Sequence, residues 1–234
     1  MYNFNKDGFI IIKNRLLKLH ISQAKDLFIK EFKSRFGPNI SSNRELIKRF
    51  ADHPYISTVL TSDVIVKIIQ KKVGLKVPVK CGPLVSHYTS NDQTGSSYGL
   101  PYHQDYPSMA SSKCSIICWL NLVDTGIDKH GIEILKGQHK KGLLKGKNTD
   151  SGYILNKKNT KDLKSVIPTM KAGELLIMSC FSPHKTHIHP DYSGWKLSLS
   201  QRYDDLSDKE WAIRGFKNAY KSIVARKLHS VTKL

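Results

Sequence analysis

A chain of 234 residues and 26.6 kDa is long enough to bury a core, and 39% hydrophobic with 24% charged residues is a globular composition, which excludes a disordered tail protein. No apolar run approaches the roughly 18 residues of a membrane span. The opening MYNFNKDGFI also lacks the charged and apolar regions of a secretory leader, so the expected compartment is the cytoplasm. Thirty-eight basic against 19 acidic residues leave +19, which admits nucleic acid as a partner; yet only seven of the 38 are arginine, the side chain that phosphate readers favour. In chain order, Asp7-Gly8 reads as a turn and Phe9-Ile10-Ile11-Ile12 as a short buried strand. Ser22 is predicted to N-cap a helix whose stripe of Ala24, Leu27, Phe28, Phe32 and Phe36 stops at Gly37-Pro38. A second helix is expected from Asn43 to Phe50, and a third on Leu60, Val64, Ile65, Ile68 and Ile69, ended by Gly74.

From Val77 the texture changes to short β-prone segments: Val77 to Thr89, Cys114 to Val123, Ile132 to Leu135, Glu174 to Ser179 and Trp195 to Tyr203. Strands at this spacing predict a mostly β, α+β fold, a barrel or jelly roll with an N-terminal helical layer. Residues 1–234 are read as a single domain: 1–76 pack on a core at 77–205, and 206–234 form a basic C-terminal helix and tail, the helix near Gly215 to Leu228. Two polar stretches, 90–98 and the lysine-dense 137–164, read as surface loops suited to act as lids. Cys81, Cys114, Cys118 and Cys180 show no CxxC pair and read as reduced thiols.

Chemistry concentrates in two places. If Tyr102-His103-Gln104-Asp105 is extended, His103 and Asp105 point to one side, which is how a strand offers two metal ligands. Glu174 to His184 is a strand that delivers a histidine to its end, closing a facial triad that leaves three positions open and suits Fe(II). In Trp195 to Tyr203, strand alternation sets Lys196, Ser198, Ser200 and Arg202 on one face: either a solvated stripe, or a barrel interior that holds the far carboxylate of a dicarboxylate cosubstrate.

With these motifs the sequence resembles the phytanoyl-CoA dioxygenase-like Fe(II)/2-oxoglutarate oxygenases over most of its length. Asp7-Gly8-Phe9-Ile10, His103-Gln104-Asp105, Cys118-Trp119-Leu120-Asn121, Gly137-Gln138-His139-Lys140, Gly173-Glu174-Leu175 and Lys196-Leu197-Ser198 carry the resemblance. It implies a double-stranded β-helix (cupin-like) core, with His103, Asp105 and His184 as catalytic iron ligands and His187 or His189 as alternatives to His184. It further implies 2-oxoglutarate and O2 as cosubstrates, with Gln104, Trp119, Asn121 and Ser198 around the former. Lys196 stands where the family usually has an arginine for the 2-oxoglutarate C5 carboxylate, so either Lys196 or Arg202 is expected to serve. The intact Asp105 resembles a hydroxylase rather than a halogenase. The expected reaction is hydroxylation of a small molecule, anionic if the lysines of 137–164 face it; the alternatives are a non-catalytic binding protein on the same fold and a nucleic-acid-binding or -modifying protein.

Overall fold

The strands of the larger sheet are buried on both faces because helices cover one side and a second sheet covers the other. The structure is a computed structural model that describes residues 2–13, 18–36, 44–91, 99–109, 112–149 and 152–213. A one-turn helix, α1 (Phe4–Asp7), leads into β1 (Phe9–Ile12). The helical layer follows: α2 (Lys18–Leu27), which runs through a π-helical turn (Phe28–Lys33) into Ser34–Phe36, then α3 (Arg44–Asp52), α4 (Pro54–Thr58) and α5 (Asp63–Val73). After it come β2 (Pro78–Ser90), α6 (Tyr106–Met109), β3 (Ile116–Asn121), β4 (Gly131–Leu135), β5 (Gly146–Thr149), β6 (Gly152–Leu155) and β7 (Ser165–Val166). The last elements are β8 (Leu175–Ser179), β9 (His184–His187), β10 (Trp195–Asp205) and α7 (Lys209–Ile213).

The larger sheet has the order β1-β8-β3-β10-β2 and the smaller one β7-β4-β9, with every pair antiparallel. Isolated bridges join His103 to His184 of β9 and to Ile154 of β6, which brings the β5–β6 hairpin alongside the smaller sheet. Period-two alternation sorts the side chains. Ile116, Cys118, Leu120, Leu175, Ile177, Leu197, Leu199 and Tyr203 pack against the helices, while Phe9, Ile117, Trp119, Leu176 and Met178 meet Ile132 and Ile134 of the smaller sheet. The result is the jelly-roll core with flanking helices that the strand spacing predicts.

One irregularity matters for the site. Ser200 of β10 opposes Val85 but Arg202 opposes Cys81, so β2 bulges at Gly82-Pro83-Leu84, where Gly82 has φ 72°. Gln201 fills the bulge, donating from Nε2 to the Gly82 carbonyl (3.1 Å). The bulge adds chain to β2 without breaking the alternation of β10, so Lys196, Ser198, Ser200 and Arg202 all stay on the inward face.

The structure differs from the sequence expectations at several points. Ser22 lies inside α2 and is no cap, because the helix already runs from Lys18. Its apolar stripe is re-phased by the π turn, which brings both Phe28 and Phe32 onto Phe50, with ring centroids 5.1 and 5.3 Å away. Segment 137–164, read as loop, contains β5, β6 and two short 3-10 turns; these strands are short and, except at Leu155, exposed or half-buried, so they carry no alternating pattern. Residues 92–98 of the first expected lid, and the expected helix and basic tail beyond 213, lie outside the described residues. Among the described residues no helix is long and apolar enough to cross a membrane. Phe28 is fully buried and touches Phe32, Phe50, Tyr88 and Trp195, so Phe28→Ala is expected to cost about 3–5 kcal/mol in a denaturant titration.

Candidate active site

Two backbone hydrogen bonds assemble the centre. The His103 amide donates to the His184 carbonyl (2.9 Å) and the His184 amide to the His103 carbonyl (3.1 Å), so the two residues oppose each other in an antiparallel bridge. Directly opposed side chains share a face, and the two imidazoles lie with centroids 4.1 Å apart. Asp105 follows two residues later with Oδ1 at 3.6 Å from His103 Nε2. One ligand atom each from His103, Asp105 and His184 lies within 4.8 Å of the others, and all three residues are buried. His187 and His189 are not in this group: His187 Nε2 donates to the Ile127 carbonyl (3.1 Å) and the His189 amide donates to His130 Nδ1 (3.2 Å).

The tautomers follow from the partners. His103 Nδ1 sits 2.8 Å from the Pro101 carbonyl and His184 Nδ1 2.9 Å from the Ser182 carbonyl. A carbonyl only accepts, so each Nδ1 carries the proton and each Nε2 presents a lone pair, as a metal-binding imidazole must. Burial, reinforced by His103, pushes the His184 pKa down to about 3 and keeps that lone pair free. Burial alone would raise the Asp105 pKa; Arg202 and the two histidines override it and hold the carboxyl well below the usual range.

Each residue singled out from the sequence has a definite place. Arg202 donates from Nε (3.0 Å) and Nη2 (2.8 Å) to Asp105 Oδ2, and from Nη1 to Ser200 Oγ (2.9 Å). Gln104 turns away from the triad and is fully buried. Its Nε2 donates to the Gly142 (2.9 Å) and Phe181 (2.6 Å) carbonyls, and its Oε1 accepts from the Leu144 amide (2.8 Å). It is thus a clamp between the metal-motif segment, the lysine-rich segment and the turn before β9. Asn121 donates to Thr125 Oγ1 (2.8 Å), beside Trp119 on β3.

Lys196, 3% exposed, lies with Nζ 5.1 Å from the Trp119 ring centroid and 3.5 Å from the Gly131 carbonyl. Among the described residues no carboxylate pairs with it, and burial pushes its pKa down to about 7. Trp119 Nε1 and Ser198 Oγ beside it are likewise buried without a hydrogen-bond partner. A buried cation with two unpartnered donors suits an incoming carboxylate, since such groups are costly to leave unpaired. The residues present therefore fit both a divalent metal and a dicarboxylate.

Sequence reasoning did not single out His87, whose Nε2 is 2.8 Å from Ser200 Oγ. Its one signal is register, because it sits opposite Ser198 on the inward face of β2. Burial, then the Arg202 and Lys196 charges, hold its pKa well below the ordinary histidine value, so it is neutral.

A jelly roll with two histidines and a carboxylate gathered between its sheets defines a non-haem iron, 2-oxoglutarate-dependent oxygenase. A sequence profile described as phytanoyl-CoA dioxygenase matches residues 4–189, and the chain belongs to that family. No curated protein sequence matches it. Among solved structures it is similar to the epimerase SnoN in complex with Fe3+, alpha ketoglutarate and nogalamycin RO (16% identity, 87% of this chain and 81% of that one, TM-score 0.56). It is also similar to the alpha ketoglutarate-dependent carbocyclase SnoK from nogalamycin biosynthesis (11%, 86% and 81%, 0.63) and to EctD from S. alaskensis with bound Fe (11%, 87% and 75%, 0.62). At these identities the likeness carries the fold. The family match ends before β10, so the roles of Lys196 and Arg202 rest on this chain's own geometry.

Gln104→Ala is expected to cost about 1–3 kcal/mol by removing buried hydrogen bonds, and to speed hydrogen exchange at the Leu144 amide.

Proposed function

We propose that the protein hydroxylates an unactivated C–H bond of a small molecule, with His103, Asp105 and His184 holding Fe(II) and Lys196 anchoring the C5 carboxylate of 2-oxoglutarate. The observation that carries this reading is the buried triad whose two Nδ1 protons are already committed to carbonyls, leaving three ligand atoms converging on one point. Iron with 2-oxoglutarate and O2 supplies the oxidising chemistry, the cosubstrate leaving as succinate and CO2.

The chain's own residues supply placement. His103, Asp105 and His184 would hold the metal from one side, so the site would stay open to the cosubstrate on the other. Lys196, with Ser198 and Trp119 as further donors, fixes the far end of the cosubstrate and so sets the direction from which its keto-acid end meets the metal. Arg202 is committed to Asp105, which favours Lys196 over Arg202 as the anchor. The apolar side chains packed between the sheets keep water from this end of the barrel.

The substrate is read as anionic. Lys140, Lys141, Lys145 and Lys147 are exposed on the segment that Gln104 and the His103–Ile154 bridge tie to the metal motif. The lysine-rich segment is read as a lid over the substrate, and Cys81, Cys114, Cys118 and Cys180, which form no disulfide among the described residues, fit a cytoplasmic setting.

The direct test is anaerobic addition of Fe(II) and 2-oxoglutarate, with a visible metal-to-ligand charge-transfer band as readout. The wild-type protein is expected to show the band, Asp105→Ala to lose it, and Lys196→Ala to need at least about tenfold more 2-oxoglutarate, the scale of losing a charged hydrogen bond; no band in the wild type defeats the reading. Because the Lys196 pKa is about 7, the anchor is charged below that pH and neutral above it. The 2-oxoglutarate affinity should therefore fall by up to about tenfold per pH unit as pH rises through 7, and Lys196→Arg should flatten the profile.

A further inference from the structure

Arg202 grips Asp105 in an asymmetric way. Two of its N–H groups, Nε–H and Nη2–H, converge on the same oxygen, Oδ2, at 3.0 and 2.8 Å. The other oxygen, Oδ1, is the one turned toward His103 Nε2 at 3.6 Å. Both residues are at least nine-tenths buried, so this geometry is not averaged by solvent. The usual fork would place one N–H on each oxygen; here Nε–H and Nη2–H both go to Oδ2.

The grip is braced from the far side. Arg202 Nη1 donates to Ser200 Oγ (2.9 Å), and that hydroxyl lies 2.8 Å from His87 Nε2. Arginine only donates, so Ser200 Oγ accepts from it, and the same hydroxyl shares a second hydrogen bond with His87 Nε2. Four side chains on three segments, the metal motif, β10 and β2, thus form one connected hydrogen-bond chain between His87 and Asp105.

We propose that Arg202, braced by Ser200 and His87, is a positioning residue that confines Asp105 to one-oxygen coordination of the metal. A carboxylate free to rotate could chelate through both oxygens and take a position that the cosubstrate needs. With Oδ2 held by two N–H groups, Oδ1 is the oxygen turned toward His103 Nε2. Arg202 therefore acts through Asp105 and does not touch the cosubstrate.

The inference rests on Asp105 being a metal ligand, and the experiment separates the two claims. Fe(II) is titrated anaerobically into the full-length protein with and without 2-oxoglutarate, following metal affinity by calorimetry and the charge-transfer band by absorption. If the wild type binds no metal, the ligand assignment itself fails. If it does, Arg202→Met is expected to keep metal affinity within about threefold while 2-oxoglutarate affinity falls at least tenfold and the band shifts, as a chelating carboxylate would cause. Arg202→Lys, which keeps the charge but offers a single donor group, should fall between. Unchanged cosubstrate affinity and band position in Arg202→Met overturn the proposal, as does a loss of metal affinity with cosubstrate affinity intact.

Arg202→Met leaves Asp105 buried without its counter-charge and so tests stability as well. A second pair of variants removes that ambiguity. Asp105→Ala keeps the buried Arg202 guanidinium without its carboxylate partner Asp105, and millimolar formate is expected to occupy the vacated place and restore the band. The double variant Asp105→Ala/Arg202→Met, in which both charges are gone, should show no formate rescue. Failure of formate in Asp105→Ala, or equal rescue in both, overturns the proposal.

Discussion

The pairing of His103 with His184 is the constraint on which the rest of the centre depends. Two reciprocal backbone hydrogen bonds force residues 81 positions apart to face each other, and the antiparallel geometry then puts both imidazoles on the same side. Everything else is arranged to keep that bridge in register. Leu100 brackets it by bonding to Thr186 in both directions, Ile154 of β6 pairs with the outer side of His103, and the Gln104 side chain ties the next residue to the 142–144 segment and to Phe181. A slip of one residue would turn one imidazole to the opposite face and dissolve the triad.

A second constraint is the burial of charge along β10. Its inward face carries Lys196 and Arg202 into a space otherwise lined by Ile117, Trp119, Leu176 and Met178. Arg202 is compensated by Asp105, and the pair is stitched to Ser200 and His87 by hydrogen bonds that use the remaining polarity. Among the described residues Lys196 meets the Trp119 face and makes a long contact to Gly131, and burial pushes its pKa down to about 7. The two cations differ in their partners: Arg202 pairs with the protein's own carboxylate Asp105, whereas among the described residues no carboxylate pairs with Lys196.

The helical layer and the lysine-rich segment serve this interior from opposite sides. Phe28, Phe50, Ile65 and Ile69 cover the outer face of the larger sheet, so β3, β8 and β10 are apolar where they meet helices and carry polar chemistry only where they face the smaller sheet. The hairpin β5–β6 contributes no ligand to the triad, yet its backbone completes the bridge at His103 and its register is held by Gln104. A residue whose identity suggested cosubstrate contact therefore works through the backbone of its neighbours.

By itself the sequence determined the strands of the larger sheet, the helical stripes, the jelly-roll class and the candidate ligands His103, Asp105 and His184, because periodicity and short motifs are local properties of the chain. The same reading left open which histidine of the three at 184, 187 and 189 joins the group and which cation is free. Those choices needed the tertiary structure. Whether His184 or His187 faces inward depends on the register of β9 against a segment 80 residues earlier, and whether Arg202 or Lys196 is unpaired depends on how far each reaches toward Asp105. The β5–β6 hairpin escaped notice because its two strands are four residues each and, except at Leu155, exposed or half-buried, with no inward-outward alternation to read, and His87 because only the bulge at Gly82 and the pairing with β10 reveal that it points to the interior. Register across strands and the direction of a buried side chain are decided by pairings between distant segments, and no local pattern of residues carries that information.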